Sequence, residues 1–223
     1  MNIPHIKTNI DAITQRIGAA VERAGRAGSD VALIPVTKTV ELDAIQDLYD
    51  LGFRRMGENR LHVAQPKIEA APKDICWHMI GSIQRRKVRD IVPLFDRVDS
   101  VDRIELVKEL EKRCADAEKT IEILLQVNVS GEEVKRGFEP GLLSDALKTV
   151  QSCPHLTVAG LMTMAPIDAS ESQIRGVFGG LKHLADDNGL ATLSMGMTND
   201  FEIAIEEGAT EIRIGTALYK EPE

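Results

Sequence analysis

A lysine closes the apolar run VALIPVTK, Val31 to Lys38. Val31, Ala32, Leu33, Ile34 and Val36 read as a strand buried on both faces, as in a parallel sheet. Lys38 then stands at the strand's carboxyl end, where parallel α/β folds carry their chemistry. An amine at the edge of such an apolar floor is expected to be partly desolvated, which favours the neutral form that attacks a carbonyl. The competing reading is an ordinary surface lysine just past a strand. Pro35 donates no ladder hydrogen bond, so a local bulge is expected there.

Two other stretches could grip an anion. SMGMTND places Ser194, Gly196, Thr198 and Asn199 at a strand end just before a helix. Gly196 permits close backbone approach, the hydroxyls donate, and a helix start offers free N–H groups. RIGT repeats the chemistry one strand later with Gly215 and Thr216. Caps and turns use the same residue types, so neither stretch decides alone. Arg213 lies between Ile212 and Ile214, which face the other way, so it is expected to point inward. A buried guanidinium needs an acceptor, either a core carboxylate such as Glu58 or a ligand's ring nitrogen. His78 follows the only tryptophan, Trp77, and either flanks a ligand or is a hydrogen-bonded core histidine.

These residues need a scaffold that brings strand ends together. Ile6, Ile10, Ile13, Ile17, Val21 and Ala24 recur at helical spacing and make a first helix. Thr8 or Asn9 is expected near its start, and Gly25 or Gly28 at its close. Strand-like and helix-like pieces then alternate. Strands are expected at 31–36, 53–56, 75–80, 95–101, 121–129, 157–165, 190–195 and 211–218. Between them lie helical stripes, among them one ended by Gly52 and one with Pro66 in its first turn. Eight alternations in one domain-sized chain predict a single (β/α)8 TIM-type barrel with an extra N-terminal helix over residues 1–29. An open doubly wound sheet is the alternative. In a barrel, the turns after strands seven and eight often hold a phosphate.

The chain has 223 residues, is 43% hydrophobic and carries a net charge of −8. That balance argues against a nucleic-acid or anionic-membrane partner. No apolar run reaches the roughly 18 residues of a membrane span, and the N-terminus lacks a signal peptide's apolar core. Cys76, Cys114 and Cys153 are scattered and odd in number, which suits reduced thiols in the cytoplasm. No pair has zinc-site spacing. Glu132, Glu133, Lys135 and Arg136 form a charged stretch after strand five, expected as exposed loop rather than lid. Met162, Met164, Met195 and Met197 are expected to pack the barrel, with Met197 reaching a ligand through its backbone.

An anion cradle, a lysine able to form a Schiff base and an inward arginine together suggest pyridoxal 5′-phosphate (PLP). Across about Val31 to Leu218 the chain resembles the pyridoxal phosphate homeostasis protein family, whose fold looks like the N-terminal barrel of alanine racemase. The resemblance rests on VTK, GENR, WHMIG with a following Gln84, QVNVSGEEVKRGF, GLMTMAP and LSMGMTNDFEIAIEEGATEIRIGTALY. It implies that Lys38 carries the internal aldimine and that Asn59 lies against the cofactor. It places Ser194, Gly196, Met197, Thr198, Gly215 and Thr216 around the phosphate, and Arg213 by the pyridine nitrogen. Two segments depart from the family pattern. Ser82, Ile83, Gln84, Arg85 and Arg86 replace His-Leu-Gln and the residues after it, and Tyr219-Lys220 stands where Phe-Gly is usual. Arg85, Arg86 and Lys87 read as a solvated helix face, with a local anion site as the alternative.

An arginine at the ring nitrogen keeps that nitrogen unprotonated and weakens the electron sink. Racemisation also needs acid-base groups on both faces of the aldimine. The racemases resembled here take the second, a tyrosine, from a β domain that this chain is expected to lack. The expectation is therefore a monomeric protein that holds PLP, and buffers it or delivers it to apo PLP-dependent enzymes, without turnover. The rivals are an amino-acid racemase and a cofactor-free Schiff-base aldolase on a phosphorylated sugar.

Overall fold

The computed structural model describes residues 5–132 and 134–221. Glu133, in the charged stretch after strand five, lies outside the described residues. The chain opens with α1 (Ile6–Arg23) and then alternates: β1 (Ala32–Pro35), α2 (Leu42–Asp50), β2 (Arg55–Glu58), α3 (Leu61–Ala70), β3 (Cys76–Met79), α4 (Val88–Ile91), β4 (Arg97–Val101), α5 (Ile104–Asp116), β5 (Ile121–Gln126), α6 (Leu143–Gln151), β6 (Leu156–Met162), α7 (Glu171–Asp187), β7 (Thr192–Ser194), α8 (Phe201–Glu206), β8 (Glu211–Ile214) and α9 (Thr216–Tyr219).

The strands pair in parallel, in the order β1-β8-β7-β6-β5-β4-β3-β2. A Val36–Gly57 bridge joins the two ends, with the Thr37 N–H donating to the Gly57 carbonyl at 3.0 Å. The sheet therefore closes into the expected barrel, not an open doubly wound sheet. Parallel strands buried on both faces read as continuous apolar runs, and β5 is buried along its length except at Glu122. Around it, α5 turns Leu106, Val107, Leu110 and Cys114 inward at helical spacing.

Pro35 causes no bulge. Ala32 to Pro35 pair in unbroken register with Glu211 to Ile214. The Val36 N–H goes to β8 and the Thr37 N–H to β2, so by alternation position 35 faces the β1–β2 seam. That seam needs one donor fewer, and a proline fits. Pro66 is the sixth residue of α3, not a first-turn residue as expected. The basic segment after Gln84 is a single 3-10 turn, Arg85–Lys87, leading into a four-residue α4.

The first helix packs on the barrel beside α8 and α9. Its C-terminus closes as expected on Gly25, at φ +63°, with the Arg26 N–H reaching the Val21 carbonyl. Asn9 does not cap its start. Its Nδ2 instead donates to the Leu218 and Lys220 carbonyls at 3.1 and 2.8 Å, pinning the end of α9. Arg26 Nη1 donates to the Ile205 and Ala209 carbonyls, both at 2.8 Å.

Candidate functional site

Strand ends of the barrel open into a cavity of about 510 Å³. Lys38, Asn59, Met197, Thr198, Arg213, Gly215 and Thr216 all line it. Seven residues expected to act together, drawn from β1, β2, β7 and β8, therefore share one space. Ser194, Gly196 and His78 are not in its wall.

Lys38 lies three residues past the end of β1 and is exposed at the rim, not desolvated as expected. Its neighbour Thr37 is fully buried, so the lysine emerges from a fixed base. Asn59 is the first residue after β2 and is half-buried. Gly81 makes room for it, since a Cβ there would sit 2.1 Å from the Asn59 carbonyl oxygen.

Arg213 points inward as its position in β8 predicts, and is 4% exposed. Its partners are new. Nη1 donates to Ser194 Oγ at 2.7 Å and Nη2 to the Thr163 carbonyl at 3.1 Å. Glu58, the candidate core acceptor, instead takes Thr37 Oγ1 at 2.7 Å and Lys67 Nζ at 3.1 Å. Burial pushes the Arg213 guanidinium below its ordinary value, against the opposing charges of Asp99, Asp200 and Glu211. Ser194 thus supports the arginine from behind.

The turn after β7 is built differently from a helix-dipole site. The helix that follows, α8, has six residues, too few for a strong N-terminal field. Gly196 serves packing: at φ +92°, its Cβ would lie 2.6 Å from Ala204 Cβ and 3.0 Å from Phe201 Cα. Close contact of the turn with α8 requires the glycine. The Met197 N–H donates to Asp200 Oδ1 at 2.6 Å, which folds the turn and leaves Thr198 in the cavity wall. Burial raises the Asp200 carboxyl, opposed by the Met197 N–H and the Arg213 charge. After β8, Gly215 and Thr216 form the start of α9, a turn of helix that the strand-like run 211–218 concealed.

His78 lies lower in the barrel, 1% exposed, with Arg97, Asp99 and Glu211. Its Nδ1 is 3.8 Å from Asp99 Oδ2 and has no hydrogen-bond partner. Arg97 binds both carboxylates, donating to Asp99 at 2.7 Å and pairing closely with Glu211. Burial, reinforced by the charge of Arg97, drives the imidazole down to about 3, so it is neutral at physiological pH.

Met162 and Met195 are buried packing, as expected, whereas Met164 and Met197 sit exposed at the cavity rim. In the departing segment, Arg85 pairs with Glu109 at 3.0 Å and Arg86 with Gln84 Oε1 at 3.1 Å. Ser82 borders the main cavity and two side grooves, one lined by Lys135 and Arg136, the other by Arg60 and Lys87. Sequence reasoning missed Gln126, which lines the cavity from β5, and the Thr37–Glu58–Lys67 network behind Lys38. Glu58 beside Asn59 in GENR was the available signal.

An amine at one side, hydroxyl-bearing turns at another and a guanidinium in the wall suit a phosphorylated carbonyl compound. The sequence profile of the alanine racemase N-terminal domain matches residues 8–222. A pyridoxal phosphate homeostasis protein of Aquifex aeolicus is 38% identical over 219 residues, covering 95% of this chain and 96% of that one. Its counterpart in Pseudomonas aeruginosa is 40% identical over 217 residues, covering 96% and 94%. PipY of Synechococcus elongatus, solved with PLP bound, superposes with a TM-score of 0.78 at 30% identity, over 93% of this chain and all of that one. Alanine racemase of Clostridium difficile shares the fold alone, with a TM-score of 0.79 at 12% identity, and this chain spans 58% of it.

Proposed function

Because this chain belongs to the pyridoxal phosphate homeostasis protein family, we propose that it binds PLP in the barrel-rim cavity and holds it as a Schiff base on Lys38. One observation carries the reading: Lys38, Arg213 and the turns bearing Thr198 and Thr216 line a single cavity. Its volume of about 510 Å³ is in the range of small-molecule sites. Bound PLP would supply an aldehyde for the amine and an anion for the turns. Lys38 has no hydrogen-bond or ion-pair partner among the described residues. Thr198, Gly215 and Thr216 offer hydroxyl and backbone donors to the phosphate. Arg213, held by Ser194 and the Thr163 carbonyl, donates to the pyridine nitrogen. Asn59 packs beside the ring.

The role proposed is reversible storage and delivery, to apo PLP-dependent enzymes, without turnover. A guanidinium at the ring nitrogen opposes its protonation and weakens carbanion stabilisation. Among the described cavity-lining residues the ionisable groups are Lys38, Asp200 and Arg213, and Asp200 is engaged by the Met197 N–H. No second acid-base group is free to work opposite the lysine. Curated relatives of the same length carry the homeostasis name, which supports a binding role.

Borohydride reduction followed by peptide mass mapping tests the attachment. The pyridoxyl phosphate label should fall on the peptide that contains Lys38. A label confined to other lysines, or none, overturns the reading. Solvent hydrogen exchange at an amino acid's Cα, at enzymatic rates and dependent on Lys38, would overturn its non-catalytic part.

A further inference from the structure

Lys38 reaches the cavity on a flexible stem, with no hydrogen-bond or ion-pair partner among the described residues. Where its amine stands is therefore set by the backbone beneath it. That backbone lies at the seam where the barrel closes. β1 and β8 pair over four residues, whereas β1 and β2 meet, among the described residues, through the single Val36–Gly57 bridge.

Buried side chains reinforce this seam. All three polar groups of Thr37, which is 0% exposed, are engaged. Its N–H donates to the Gly57 carbonyl at 3.0 Å, its Oγ1 to Glu58 Oε1 at 2.7 Å, and its carbonyl accepts from Lys67 Nζ at 2.8 Å. Lys67 Nζ also donates to Glu58 Oε1 at 3.1 Å. Both bonds to the carboxylate fall on one oxygen, and the other, Oε2, is buried without a partner. Glu58 is thus held through Oε1 alone, and Thr37 makes the shorter of its two bonds.

The members of the network sit next to the cavity residues in the chain. Thr37 immediately precedes Lys38, and Glu58 immediately precedes Asn59, both in the cavity wall. Lys67 comes from α3, which begins two residues after Asn59. One hydrogen-bonded triad therefore grips the base of the amine, the base of Asn59 and the helix that follows.

We propose that Thr37 is a positioning residue for Lys38. Through Glu58 and Lys67, its hydroxyl fixes the backbone from which the amine meets the ligand's carbonyl carbon. Its loss misplaces the amine and spares the anion-binding turns, which follow β7 and β8. This rests on the reading of the cavity as a PLP site.

The test compares PLP with pyridoxine 5′-phosphate, which has the ring and phosphate but an alcohol in place of the aldehyde. Affinities are measured by calorimetric titration, well below each variant's melting temperature. Thr37→Val keeps the shape and removes the hydroxyl, so the apo protein should melt about 2–6 °C lower. PLP affinity should fall about five- to tenfold, while pyridoxine 5′-phosphate affinity stays within about twofold of wild type. Thr37→Ser, which keeps the hydroxyl, should restore PLP affinity to within about twofold. Equal losses for both ligands would mark Thr37 as merely structural and overturn the proposal. Unchanged PLP affinity in the valine variant, or no recovery in the serine variant, would overturn it as well. Should the valine variant not fold, Lys67→Arg, which keeps the charge and alters the donor geometry, is read by the same split between ligands. Wild-type protein that bound neither ligand would overturn the reading of the cavity itself, a result distinct from selective failure of a variant.

Discussion

Arg213 is a buried cation whose hydrogen bonds go to a hydroxyl and a carbonyl rather than to a carboxylate. Such a charge costs the fold several kcal/mol in desolvation, of which its two charge-assisted hydrogen bonds, at about 1.5–3 kcal/mol each, return only a part. Arg213→Met should therefore weaken PLP binding at least about tenfold while the apo protein melts no lower than wild type; affinity by titration and calorimetric melting read the two halves. Lys67→Met should behave oppositely. It strands the carboxylate of Glu58, which is 0% exposed, and should cost roughly 3–5 kcal/mol in denaturant unfolding. The inward turn of Arg213 was legible from the two isoleucines beside it. Its acceptors were not, because Ser194 is 19 residues away and Thr163 is 50. Only the strand order, which sets β6, β7 and β8 side by side, brings them to one point. The exposure of Lys38 was equally hidden, since a strand-end position does not say how far the side chain leans into solvent.

At the level of elements, the site depends on backbones that meet without side chains between them. Gly81 after β3 lies against the Asn59 carbonyl after β2. Gly81→Ala must move that loop, so PLP affinity should fall severalfold and the melting temperature with it, by roughly the 1–3 kcal/mol typical of overpacking. Unchanged affinity at lowered stability would mean that Asn59 does not touch the ligand. Helix periodicity made the long elements readable, α1, α5 and α7 above all, because their apolar stripes extend over three or more turns. Short elements escaped. A four-residue α9 has no period to detect, and its leucine and alanine continue the apolar run of β8. Pro66 misled in the same way: a proline normally marks a first turn, yet here it stands exposed in the second turn of α3.

The whole molecule is a barrel with two polar layers, one facing the cavity and one beneath it. The lower layer makes stability depend on pH. His78 would titrate at 6.5 unfolded but is held at about 3 in the fold. Between those values the unfolded chain binds a proton that the folded chain refuses, so stability falls as pH drops. At pH 5 the loss is ~2 kcal/mol relative to neutral pH. Urea unfolding at pH 7.5 and 5 should show it, and His78→Gln should flatten that part of the slope. An equal slope in the variant would place the titration elsewhere. The barrel itself was legible from eight alternations, and so was the shared cavity, since strand ends converge on one rim whatever the details. The lower layer was not, because Glu211 lies 114 residues from Arg97 and only the folded barrel brings β4 and β8 to one polar cluster.

The most direct test of the account is the visible absorption spectrum of purified protein titrated with PLP, beside the Lys38→Ala variant. Wild type should develop a Schiff-base band that saturates at one PLP per chain, and the variant should show only free ligand. A band of equal strength in the variant, or none in wild type at saturating PLP, would contradict it.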